Sequence, residues 1–122
     1  GPSGAEITCT PMEFDADLVA AHCGGHKRGV ELLDADKIQG PLICRTRANG
    51  DKFAPLGLNG RQSVSDFLTN AALDDQARDK VRCICDDEGI IYLAPLRIDQ
   101  RVKISQDTTR ILRIEFNSDP TQ

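Results

Sequence analysis

Apolar and polar positions along this chain alternate with two different periods, and the changes of period mark its elements. Between residues 6 and 14, Ile7, Cys9 and Met12 punctuate polar neighbours, which predicts a strand. Pro11 interrupts that strand and assigns it to a sheet edge, because proline has no N–H to give a ladder. Residues 16–22 set Leu18, Val19 and His22 on one side of a helix, with Asp15 as its cap and Gly24-Gly25 as its end. Residues 30–33 read as a strand closed by Asp34-Ala35-Asp36-Lys37, and Gln39-Gly40-Pro41 as a turn. In 42–47, strict alternation predicts a strand with Arg45 and Arg47 on one face. Ser63, three residues before Asp66, approximates a capping box for a helix whose apolar face is Val64, Phe67, Leu68 and Ala71. Asp74 caps a second short helix over 75–80. The period then drops to two: 81–85 and 90–93 flank a hairpin turn, Asp86-Asp87-Glu88-Gly89, whose acids read as solvated. Residues 96–104 alternate again, with Ile98, Val102 and Ile104 packing and Arg97, Arg101 and Lys103 on the other parity. Residues 110–116 complete a sheet through Ile111, Leu112, Ile114 and Phe116.

Six or seven strands and two or three short helices, not regularly alternating, predict an α+β fold. The 122 residues suffice for one domain with its own core, assigned to 5–117. Gly1-Pro2-Ser3-Gly4 resembles an expression scar and 118–122 a polar tail. Aromatic residues make up 4% with no Trp, so the core is expected to be aliphatic. Apolar runs are too short for a membrane span, and the N-terminus lacks the basic-then-apolar order of a signal peptide. The five cysteines are an odd number and widely spaced, which favours free thiols in a reducing compartment. Cys44, Cys83 and Cys85 fall in predicted strands as small hydrophobes.

Chemistry is harder to find. His22-Cys23-Gly24-Gly25-His26 brings two imidazoles and a thiol close together, yet without a distant fourth ligand it reads as a helix end and turn. Asp34 and Asp36 have the spacing of a carboxylate pair, but beside a turn they read as capping and solvated. No nucleophile–base–orienter set accompanies them, so neither catalytic residues nor a metal site are expected. The richest stretch is 45–61. There Arg45, Arg47, Lys52 and Arg61 surround a loop shaped by Gly50, Asp51, Pro55 and Gly57 and pinned by Phe53, Leu56 and Leu58. Its composition suits gripping an anion. Net charge is −4, but the acids crowd residues 1–36, leaving a near-balanced remainder in which a local basic face can form.

Several of these segments occur in a recognisable order: Leu33-Asp34-Ala35-Asp36-Lys37, Arg45-Thr46-Arg47, Gly50-Asp51-Lys52-Phe53, Pro55-Leu56-Gly57, Ser65-Asp66-Phe67-Leu68, Arg78-Asp79 and 96–104. The set, over about residues 31–116, resembles the C-terminal domain of tRNA(Ile)-lysidine synthetases. The resemblance implies two mostly antiparallel sheet layers and a layer of short helices (β/β/α), similar to a domain of the phenylalanyl-tRNA synthetase β subunit. It implies a cytoplasmic, non-catalytic piece of an ATP-dependent ligase, positioning the tRNA acceptor end. An absent N-terminal PP-loop domain, with its SGGxDS motif, ATP and Mg²⁺, would convert the wobble cytidine to lysidine. Carried over, the RNA-contacting residues are Arg45, Arg47, Lys52, Arg61, Arg97, Arg101 and Lys103, and the loop-structuring ones are Gly50, Asp51, Phe53, Pro55, Gly57, Asp66 and Phe67. Guanidinium groups suit phosphate. Some of the bases are alternatively expected to pair with Asp51, Asp66, Asp79 or Asp99 and only hold loops together. Gln62-Ser63 stands where the family often has two lysines, and each phosphate no longer neutralised flattens the salt dependence of binding by about 0.7–0.9. Other expected partners are the catalytic domain and a second copy in a homodimer, the alternative function being that of an interaction module.

Overall fold

The computed structural model describes residues 6–24, 29–58 and 60–117, with the backbone alone at Cys23. The proposed scar and tail, and His26, lie outside the described residues. In chain order the strands and helices are β1 (Glu6–Glu13), α1 (Ala16–Gly24), β2 (Val30–Asp34), β3 (Ile43–Arg45), β4 (Lys52–Phe53), β5 (Gln62–Ser63), α2 (Val64–Asn70), α3 (Asp75–Lys80), β6 (Arg82–Asp86), β7 (Gly89–Ala94), β8 (Arg97–Ile98) and β9 (Arg110–Asn117). Single 3-10 turns cover Ala35–Lys37 and Gln100–Val102. The described residues thus contain more strands than expected, because β4, β5 and β8 are two residues long and too short to display a period.

Every pairing is antiparallel. One sheet has the order β1-β9-β2, a second β3-β6-β7-β8, and β4 and β5 form a small hairpin-like pair. Leu33, Ile114 and Phe116 of the first sheet pack on Ile84, Tyr92, Ala94 and Ile98 of the second. The other face of the second sheet presents Cys83, Cys85 and Leu93 to Phe53 of β4 and to Val64, Phe67 and Leu68 of α2. Two sheet layers and a helical layer result, as the resemblance implied. With both faces covered, β7 carries an unbroken apolar run instead of an alternating one. A bulge opposite Ile84 and Cys85 shifts its register, so that consecutive Ile91 and Tyr92 both enter the core between the sheets.

The cap residues behave as their types dictate. Asp15 Oδ1 accepts from the N–H of Asp17 and Leu18, Ser63 Oγ from Asp66, and Asp74 Oδ1 from Ala77. Pro11 does lie on an edge strand, but β1 runs through it without a break, paired among the described residues to β9 alone.

Other expectations need correcting. β3 ends at Arg45, so alternation does not carry Arg47 onto a shared face. Cys44 is exposed on this edge strand and does not pack, whereas Cys83 and Cys85 are buried. Ala71 is exposed, since α2 stops at Asn70 and its buried face is only Val64, Phe67 and Leu68. Leu58 is 46% exposed and pins nothing, while Phe53 is buried. The 96–104 stretch is not one strand: β8 stops after Ile98 and a 3-10 turn follows, so Arg97, Arg101 and Lys103 do not share a strand face. A buried polar residue causes that break. Asp99 Oδ1 accepts from the Arg101 N–H and Oδ2 from the Ala54 N–H, turning the backbone and stitching it to the 53–55 segment.

Candidate nucleic-acid interface

The 45–61 stretch is held by two polar stitches. In the first, Arg45 forms a bidentate pair with Asp51, both N–O distances 2.9 Å, and Asp51 Oδ2 also accepts from the Ala48 N–H at 2.8 Å. Gly50, at φ +87°, makes the return possible, in a region that other residues enter only with strain. The Val64 N–H donates to the Asp51 carbonyl, joining this loop to α2. The Arg45 guanidinium beside Asp51 holds its carboxyl below the ordinary range, although burial works the other way. Burial, then the nearby Asp51 charge, pushes the Cys83 thiol up to about 12.

In the second stitch, Asp99 and its neighbours receive the loop that follows β4. The Leu56 N–H donates to the Ile98 carbonyl, Gln100 N–H to the Ala54 carbonyl, and Pro55 bridges Asp99. Gly57, also at positive φ, faces Gln100 Oε1. Arg97 donates to the Leu56 carbonyl at 2.8 Å and lies 5.6 Å from the centre of the Phe67 ring, a cation–π distance.

A third device was not foreseen. Asp86, read as a solvated turn residue, has a fully buried carboxylate. It accepts two hydrogen bonds from Arg101, at 3.0 and 2.9 Å, and one each from the N–H of Gln39 and Glu88. Burial opposes its charge, but Arg101 and the backbone donors outweigh burial and keep its carboxyl below the usual range. Asp34 is likewise buried and not solvated. It caps the 3-10 turn through the Asp36 N–H and accepts from Thr108 Oγ1 at 2.8 Å.

The seven predicted cations therefore divide. Arg45, Arg97 and Arg101 are half-buried and committed to the protein's own acceptors. The expected pairing of a base with Asp51 occurs. Arg101, in contrast, pairs with Asp86 and not Asp99, and Asp66 is an exposed residue of the first turn of α2 with no side-chain partner among the described residues. Arg47, Lys52, Arg61 and Lys103 are exposed, with no ion pair among the described residues. Lys52, Arg61 and Arg101 line one hollow of about 270 Å³, together with Glu88 and Asp99. Arg97 and Lys103 border a more apolar groove of about 620 Å³ beside α1, where His22 lies 3.6 Å from Glu31. Arg47 lines a third pocket with Arg78 and Arg82. Those two arginines were not singled out as contacts. They follow one another in a short helix of balanced charge and at the start of a strand, and no local period marks them as partners of a residue more than thirty positions earlier.

Among the described residues no group of three or more His, Cys, Asp or Glu side chains is placed to hold a metal ion. No helix among them is long and apolar enough to cross a membrane.

A family model described as the TilS substrate C-terminal domain matches residues 42–116. The tRNA(Ile)-lysidine synthase of Dehalococcoides mccartyi is 37% identical over 87 residues, covering 71% of this chain and 18% of the relative. That of Parabacteroides distasonis is 31% identical over 87 residues, covering 71% and 20%. Among solved structures, a TilS C-terminal domain superposes with a TM-score of 0.72 at 19% identity, covering 95% of this chain and 85% of that one. An N-terminal fragment of the phenylalanyl-tRNA synthetase β subunit from Pyrococcus horikoshii gives 0.67 at 18% identity, covering 93% and 40%, a likeness of fold. The chain spans about a fifth of the length of the curated relatives it matches. It belongs to the C-terminal domain family of the tRNA(Ile)-lysidine synthases.

Proposed function

We propose that this chain binds the acceptor end of a tRNA by its phosphate backbone and positions it for chemistry performed elsewhere in the full-length protein. The observation that carries this is the division of labour among the cations. Arg45 neutralises the part-buried Asp51 and Arg101 the buried Asp86, stiffening the loops, while Arg47, Lys52, Arg61 and Lys103 stay exposed without an ion pair among the described residues. Cations on pre-ordered loops lose little side-chain and backbone freedom on meeting a polyanion. Contacts of this kind set register and orientation but read no base. A duplex acceptor stem is A-form, and A-form RNA is recognised largely through shape and backbone. Adenylation of the wobble cytidine by ATP with Mg²⁺, and displacement by lysine, would belong to the part of the relatives' length that this chain does not span, in the cytoplasm where tRNA is matured.

The test is fluorescence anisotropy with an acceptor-stem minihelix and with an anticodon stem-loop over a range of salt. The minihelix should bind better, and log K should fall with log salt by about 0.7–0.9 per neutralised phosphate, or roughly 3 for four cations. Equal binding of both RNAs, or a flat salt response, would remove this reading.

A second reading has its own observation. β3 lies at an open edge of its sheet, and Ile43 there is 56% exposed. A second copy adding a strand at that edge would cover it. Light scattering that rises in apparent mass with concentration, unaffected by RNA, supports such a homodimer; an unchanging monomer mass rejects it.

A further inference from the structure

The three hollows that carry predicted cations differ in what they offer an anion. The hollow of Lys52, Arg61 and Arg101 includes Glu88 and Asp99 in its walls, and its Arg101 is saturated by Asp86. The groove beside Arg97 and Lys103 is bordered mainly by apolar side chains. The third, about 450 Å³, is enclosed by the 46–51 loop, the start of α2 and the end of α3. Into it come Arg47, Arg78 and Arg82, with Asp51 and Asp79 as the only carboxylates along its wall among the described residues. The charge of Asp51 is already matched by Arg45.

We propose that this third pocket binds a phosphate group of the RNA, held by Arg47, Arg78 and Arg82, a subsite that rests on the RNA-binding reading and gives it a location. Two further features support it. Arg82 is fixed before any ligand arrives, its Nη1 donating to the carbonyls of Asp79 at 2.6 Å and Val81 at 2.9 Å. Arg78 is the reverse case. Its Nε is buried without an acceptor, and among the described residues its side chain has no hydrogen bond or ion pair at all. A buried donor with no acceptor is costly, and an anion close to the guanidinium lowers that cost. The pocket is larger than one phosphate requires and within the range that holds a small organic ligand, so the attached sugar fits with it. The Arg45–Asp51 clamp fixes the loop that forms one wall, so the pocket exists before binding.

The experiment uses the whole chain, with Arg78→Gln and Arg47→Gln as separate variants checked for native circular dichroism. Inorganic phosphate is titrated in by NMR, and a short acceptor-type RNA duplex carrying either a 5′-phosphate or a 5′-hydroxyl is titrated by anisotropy. Phosphate should shift the amides of residues 48–51 in the parent chain and not in Arg78→Gln. Each variant should weaken duplex binding about tenfold and flatten the salt slope by about 0.7–0.9. Equal loss on removing the 5′-phosphate from the parent's RNA identifies a terminal phosphate as the ligand; equal binding of both duplexes identifies an internal phosphodiester. If the duplex binds and neither variant changes affinity or slope, the pocket is overturned and the RNA-binding reading survives. If the duplex does not bind but phosphate shifts those amides and Arg78→Gln abolishes the shift, the pocket stands and the RNA-binding reading falls.

Discussion

Asp86 shows how one side chain is stabilised against its own burial. A carboxylate removed from water is tolerated only when its partner and its remaining lone pairs are well matched. Here Arg101 supplies a fork and Gln39 and Glu88 supply backbone donors. Arg101→Met leaves the charge buried and half-served, and should cost about 3 kcal/mol in urea unfolding, the low end for a broken buried pair because Arg101 is itself partly exposed. The pH dependence follows from the sign of the shifts. Asp86 and Asp51 both have folded pKa values below their unfolded ones. Their contribution is therefore fully present above about pH 4, the unfolded carboxylate value, and is lost as pH falls through the lower folded values. The urea midpoint should be level from pH 7 to about 5 and drop below about 4, with a shallower drop in Asp86→Asn. A midpoint that falls between pH 7 and 5 would mean other groups dominate. The thiols divide in the same local way. Cys9 and Cys44 are exposed and should alkylate in the native state, slowly because burial pushes both thiols up and so keeps the thiolate scarce, while Cys83 and Cys85 should react only after unfolding.

At the scale of elements, α2 and α1 behave oppositely. α2 inserts Val64, Phe67 and Leu68 beneath the second sheet, and the Phe67 ring meets Phe53 edge-on at 5.3 Å. Leu68→Ala should destabilise by about 2–5 kcal/mol, and removal of the Ser63 cap by Ser63→Ala by about 1 kcal/mol, both read from denaturant unfolding. α1 is capped by Asp15, yet none of its described side chains is buried, and Leu18 is exposed on it. A helix of nine residues with so little packing is marginal by itself. Its amides should exchange with solvent orders of magnitude faster than those of β9, which is paired on both sides. Protection of α1 equal to that of β9 would show that something outside the described residues covers it. Local signals were enough for the capped helices and for β6, β7 and β9, whose patterns are long. They were not enough for β8, where Asp99 redirects the backbone through a bond to a segment 45 residues away.

For the whole molecule, the net charge of −4 does not say where the charges lie, because opposite charges cancel in pairs the composition cannot show. The order of polar motifs was legible along the chain, and with it the family, since each motif is a local arrangement of turn, cap and strand residues. So was the pairing of a base with Asp51, which lies six residues from Arg45. What required the tertiary structure was the sorting of the cations. Arg101 meets Asp86 across 15 positions, and Arg47 shares a pocket with Arg78 and Arg82 only because separate elements pack to form its walls. A chain's period reports which face a residue occupies within its own element. Which charges neutralise one another, and which are left for a ligand, depends on distances set when separate elements pack, and those distances are written in no single stretch of the sequence.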